Sequence, residues 1–153
     1  MTLNTEQLPG FRVQGASVRT RNADEMNPLT GKIPGLWAAF FAGPLAAQAL
    51  SQGACGVYHG YESDYRGAFD VLAGVALAEG EAPAAGMTVV EIPAGRYAVF
   101  ECRGPIPQAV IAGWGQVWAA FEQPGAPRRS YRADVEQYLG PDHARILIGL
   151  EQA

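Results

Sequence analysis

Hydrophobic side chains along this chain recur with two different periods, and the alternation between them predicts the elements. Ile33, Leu36, Trp37, Phe40 and Phe41 fall on one face of a 3.6-residue helix. Val110, Ile111, Trp114, Val117, Trp118 and Phe121 do the same later in the chain. Pro34 sits where a first helical turn tolerates it, Gly43-Pro44 kinks or ends the first helix, and Pro124-Gly125 stops the second. Segments rich in aromatic and β-branched residues flank each helix and predict strands over 11–20, 55–62 and 69–77, then 88–92, 96–102, 131–139 and 145–150. Polar or Gly/Pro turns separate them at 63–67, 93–95 and 140–142.

The same order appears twice, and short sequence matches accompany it. Trp37-Ala38-Ala39-Phe40 recurs as Trp118-Ala119-Ala120-Phe121, Leu8-Pro9 has a counterpart in Ile92-Pro93, and Val71-Leu72-Ala73-Gly74-Val75 resembles Ile146-Leu147-Ile148-Gly149-Leu150. Two strand-helix-strand-strand halves, about 8–78 and 87–151, are therefore expected, joined by the exposed stretch 79–86. They predict an α+β domain over residues 1–153, with one largely antiparallel sheet and two helices on one face.

Composition narrows the function. The 153 residues fit one domain, and 48% hydrophobic against 17% charged residues excludes disorder. Eleven basic side chains, of which only Lys32 is a lysine, stand against fifteen carboxylates. A diffuse net charge of -4 disfavours nucleic acid, which needs a clustered basic face, and Arg128, Arg129 and Arg132 are too few to make one. Residues 33–61 carry no charge, but Gly43, Pro44, Gln48, Ser51 and Gln52 interrupt the run, so no membrane span is expected. With no secretory signal at the start, and with Cys55 and Cys102 outside any ligand-spaced group, a reduced cytoplasmic protein is expected.

Enzyme motifs for phosphate, dinucleotide, serine-hydrolase or zinc chemistry are missing, and neither a cofactor nor a metal is expected. His59 and His143 are read as structural or surface residues. Three Trp, six Tyr and six Phe supply aromatic surface instead. Helical spacing of Trp37, Phe40, Trp114, Trp118 and Phe121 fits plain core packing, whereas three indoles over a small sheet also fit the walls of an apolar pocket. Asp134-Val135-Glu136-Gln137-Tyr138 alternates on a strand, so Asp134, Glu136 and Tyr138 share one face. Glu136 either points to solvent or is held among aromatics, where it would need a cation.

These residues resemble a known family. Gly15-Ala16-Ser17-Val18-Arg19-Thr20, Lys32-Ile33-Pro34-Gly35-Leu36-Trp37, Phe40-Phe41, Tyr61-Glu62-Ser63-Asp64, Ile92-Pro93-Ala94-Gly95-Arg96-Tyr97 and Asp134-Val135-Glu136-Gln137-Tyr138 are similar to the effector-binding domain of AraC-type and MerR-type activators, found alone in gyrase-inhibitor-like (GyrI-like) proteins. The resemblance covers residues 8 to 151. It implies a duplicated fold with a ligand cleft between the two helices and the sheet, where amphipathic cations meet an acidic residue. Carried over, Glu136 would be the acid, with Trp37, Phe40, Tyr61, Trp114, Trp118 and Tyr138 around it. Val135 stands where the family usually has Phe, which would widen the cleft or lighten the core. No helix-turn-helix precedes residue 8, so an effector domain without its DNA reader is expected. Some relatives hydrolyse cyclopropane-containing compounds with a pocket glutamate, and Glu136 would then be the catalytic base, beside Tyr138 or Tyr61. A third function is modulation of a transcription regulator or gyrase, and a homodimer is also open.

Overall fold

In the computed structural model, which describes residues 3–152, eight strands form a single antiparallel sheet. The strands are β1 (Thr5–Leu8), β2 (Phe11–Thr20), β3 (Cys55–His59), β4 (Phe69–Leu77), β5 (Thr88–Ile92), β6 (Gly95–Arg103), β7 (Arg129–Gly140) and β8 (His143–Leu150). Their order is β1-β6-β8-β7-β3-β4-β2-β5. Counted outward from the central β7/β3 pair, the order is two-fold symmetric, with β8 matching β4, β6 matching β2 and β1 matching β5. Strands β2, β3 and β4 of the first repeat thus lie on one side of the sheet and β6, β7 and β8 of the second on the other.

Two short corners curl that sheet. β1 and β2 stand near opposite ends of the strand order, yet only Pro9 and Gly10 connect them; Pro93 and Ala94 likewise join β5 to β6. Two residues span too little distance to cross a flat sheet of eight strands, so the ends must bend toward each other. The Leu8-Pro9 and Ile92-Pro93 matches in the sequence are these corners. β5, expected as part of the second half, lies on the outer edge of β2, and β1, which the periodicity did not reveal, lies on β6.

Curling gives the sheet two unlike faces. The inner face closes on itself around Val13, Val57, Leu72, Tyr97, Val99, Val135 and Leu147, without any helix. Val135 is fully buried there, so it lies on the side of the sheet away from the helices and fills the inner core; it cannot widen a cleft on the helical side.

Helices cover the other face in two separate patches. α1 (Asn22–Glu25) is a single turn, followed by α2 (Ile33–Phe41), α3 (Ala46–Gln52) and α4 (Gln108–Phe121). Gly43-Pro44 breaks the first helical region, and α2 and α3 meet at 93°. Leu36, Phe40, Leu45 and Ala49 pack on Phe69, Val71, Ala73 and Val75, while Val110 and Val117 of α4 pack on Ala98, Cys102, Ile146 and Ile148. Tyr138 touches both patches and marks the seam between them. No single helix among the described residues is long and apolar enough to cross a membrane.

Candidate functional site

The seam contains a buried carboxylate. Along β7 the side chains alternate, so Asp134, Glu136 and Tyr138 face the helices while Val135 faces the inner core. Glu136 is 4% exposed. Its Oε2 accepts from Trp114 Nε1–H of α4 at 2.6 Å and from the Tyr58 hydroxyl of β3 at 2.9 Å, and its Oε1 accepts from the Tyr138 hydroxyl at 2.8 Å. All three donors are neutral. Among the described residues no basic side chain forms an ion pair with Glu136.

Aromatic rings surround the carboxylate. Tyr58 packs edge-on against Trp114 at 5.1 Å, and Trp37 of α2 packs edge-on against Tyr138 at 5.5 Å and Phe40 at 5.7 Å. Gly56 of β3 lies opposite Glu136 in the register. A Cβ on Gly56 would come within 2.8 Å of Glu136 Oε1 and 3.1 Å of Trp37, so the absent side chain makes room for both.

Burial sets the electrostatics. It pushes the Glu136 carboxyl above the usual carboxylate range, against the hydrogen bonds from Trp114, Tyr138 and Tyr58, which favour the ionised form. The Tyr58 and Tyr138 hydroxyls are pushed up by burial and then by Glu136, which keeps them protonated and able to donate. Cys55 is a free thiol pushed up to about 11 by burial, which makes it a poor nucleophile.

Of the residues singled out in the sequence, Trp114 and Tyr138 bond Glu136, and Trp37 stands over it beside Phe40. Tyr61 is bound elsewhere: its hydroxyl donates to Asp134 at 2.6 Å. Trp118 is set apart. It is 43% exposed, and Ile111 on the same side of α4 is 67% exposed, because the helix turns Val110, Gly113, Val117 and Ala120 to the sheet. Successive helical residues are about 100° apart, so a face centred on Val117 turns Trp118 outward.

Sequence reasoning missed Tyr58, Gly56 and the Asp134–Arg129 pair. Period-two alternation in the strand 55–62 does place Gly56 and Tyr58 on one face, but nothing local says that this face meets Glu136. In the sequence Arg129 counts only as part of a trio too small for a basic face, yet its side chain is 5% exposed and its Nη2 lies 2.7 Å from Asp134 Oδ2. A register shift in β7 between Arg129 and Asp134, with Tyr131 at φ +52°, accompanies this contact.

A duplicated α+β domain with two helical patches on one face of a curled antiparallel sheet is the fold of an effector-binding domain. The profile of the integron-associated effector binding proteins (Cass2) matches residues 5–148, and the chain belongs to this family. An integron cassette protein from the mobile metagenome of Vibrio cholerae is 37% identical, with a TM-score of 0.84 over 97% of this chain and 95% of that one. At 19% identity the fold is shared with SAV2435, solved bound to tetraphenylphosphonium (TM-score 0.77, 99% of this chain and 94% of that one). A Staphylococcus aureus MU50 structure has the same identity and TM-score and covers 99% of both chains. No curated protein sequence matches this chain.

Proposed function

We propose that this chain binds amphipathic, singly or multiply aromatic cations in the seam between α2 and α4, with Glu136 as the counter-charge. One observation carries the proposal: Glu136 is buried, and only neutral groups answer it. An ionised carboxylate in that position is expensive even with three hydrogen bonds, because a buried ion lacks the solvation that an opposite charge would replace. A bound cation supplies that charge. Trp37, Phe40, Tyr58, Trp114 and Tyr138 add apolar surface, worth about 25 cal/mol per Å² removed from water, and their π-faces attract the same cation by about 0.5–2 kcal/mol each. Because Glu136 is buried beneath these rings, entry of a ligand requires them to move apart.

The family supports effector binding, and a tetraphenylphosphonium complex of a protein with this fold supports the cationic class. The test is calorimetric titration of tetraphenylphosphonium into the wild type and Glu136→Gln. Affinity is expected to fall about thirtyfold or more, the usual consequence of removing one partner of a buried charge pair. Equal affinity in the two proteins overturns the role of Glu136, and no binding to the wild type overturns the ligand class.

A further inference from the structure

The helix-facing side of β7 holds two buried carboxylates, one paired with a cation and one with neutral donors only. Asp134 is 0% exposed and fully engaged: Oδ2 accepts from Arg129 Nη2 and the Tyr61 hydroxyl, and Oδ1 accepts the Gly149 backbone N–H at 3.0 Å. The Arg129 guanidinium is itself enclosed, 4.4 Å from the centre of the Tyr131 ring and 5.8 Å from that of Phe121. The chain therefore already keeps one cation of its own against a carboxylate and two rings. Glu136, two residues along the same face and about 7 Å away by strand geometry, has rings and hydroxyls but no cation.

Building on the cation-binding function, we propose that the seam accepts a single positive charge and that Arg129 sets this number by occupying Asp134. The ligand class is then the monocationic aromatic compound. A dication that places one charge on Glu136 must put the other either toward Arg129, a fixed like charge, or among rings with no counter-ion. Both are costly where water is excluded, since like charges brought together at an interface cost several kcal/mol. Without Arg129, Asp134 would become a second free acid at a spacing suited to a rod-shaped dication.

Three molecules of nearly one shape separate charge number from fit: neutral 4-phenylpyridine, singly charged 1-methyl-4-phenylpyridinium and doubly charged 1,1'-dimethyl-4,4'-bipyridinium. Calorimetric titration at a pH where the first is uncharged, with tetraphenylphosphonium as reference, is expected to give the monocation about tenfold or more over each of the other two. In Arg129→Met the preference is expected to move about tenfold or more toward the dication, whereas Arg129→Met/Asp134→Asn, which removes both charges, keeps the wild-type order. Should Arg129→Met fail to fold, Arg129→Gln, which removes the charge but keeps a hydrogen-bond donor for Asp134, is read in its place. Parity or dication preference in the wild type overturns the charge-number proposal, and an unchanged ratio in folded Arg129→Met overturns the role of Arg129. If tetraphenylphosphonium and all three compounds fail to bind the wild type, the cation-binding function falls and this proposal falls with it.

Discussion

Gly56 and Glu136 face each other across the β3/β7 pair, and the space a side chain on Gly56 would take is occupied by the Glu136 carboxylate. Two residues further along, Tyr58 faces Asp134, while Val57 between them faces Val135 at the centre of the sheet. A two-fold axis through that central pair exchanges Gly56 with Asp134 and Tyr58 with Glu136. The duplicated halves have thus diverged at equivalent positions: where one carries its two acids, the other carries the glycine that makes room and the tyrosine that donates.

This close approach makes Gly56→Ala informative. Its Cβ would displace both Glu136 and Trp37, so a loss of about 1–3 kcal/mol is expected from overpacking. Urea denaturation measures it. Gly80→Ala would be an unsuitable control, because Gly80 has φ +78°; Gly115→Ala, with open space around its Cβ, should be neutral or stabilising.

Trp114 and Trp118 should respond oppositely. Trp114→Phe removes an indole donor from a buried carboxylate, with an expected cost of about 1–3 kcal/mol and weaker binding of tetraphenylphosphonium. Trp118→Ala, at an exposed position, should change stability by about 0.5 kcal/mol or less and leave affinity as it was. Chemical denaturation and titration of both variants check the pair.

Stability should depend on pH through Glu136. Its folded pKa is raised, so between the unfolded value, about 4.3, and the folded one the native state holds more protons than the unfolded chain. Stability from this group is greatest below that window and falls as pH rises through it. Glu136→Gln removes the slope, so the variant should gain on the wild type as pH increases. Cation affinity has the opposite sense: it should rise with pH as Glu136 ionises, with its midpoint above the normal carboxylate range. Melting curves and titrations across the window test both.

Arg129→Met alone should cost about 3–5 kcal/mol, because it leaves Asp134 buried without its cation. Arg129→Met/Asp134→Asn should recover much of that loss. The comparison is read from urea midpoints.

Much of this was legible locally. The 3.6-residue spacing of Ile33 to Phe41 and of Val110 to Phe121, and the alternation in the strands, reflect which side of an element is dry, and that follows from neighbouring residues alone. The repeated segments located the two halves, and the position of Glu136 beside Asp134 and Tyr138 followed from the two-residue period of a strand. The short helix α3 and the edge strand β1 escaped because seven and four residues carry too little periodic signal.

Tertiary structure decided the rest, because it depends on contacts between segments far apart in the chain. Register paired Gly56 with Glu136 and brought Tyr58 to the carboxylate; the rotation of α4 on the sheet chose Trp114 and turned Trp118 to solvent. Sequence counted fifteen carboxylates and marked Glu136 as a candidate charge. Folding gave Arg129 to Asp134 and left Glu136 with neutral donors only, a division that no local pattern encodes because an ion pair forms only where packing brings its partners together.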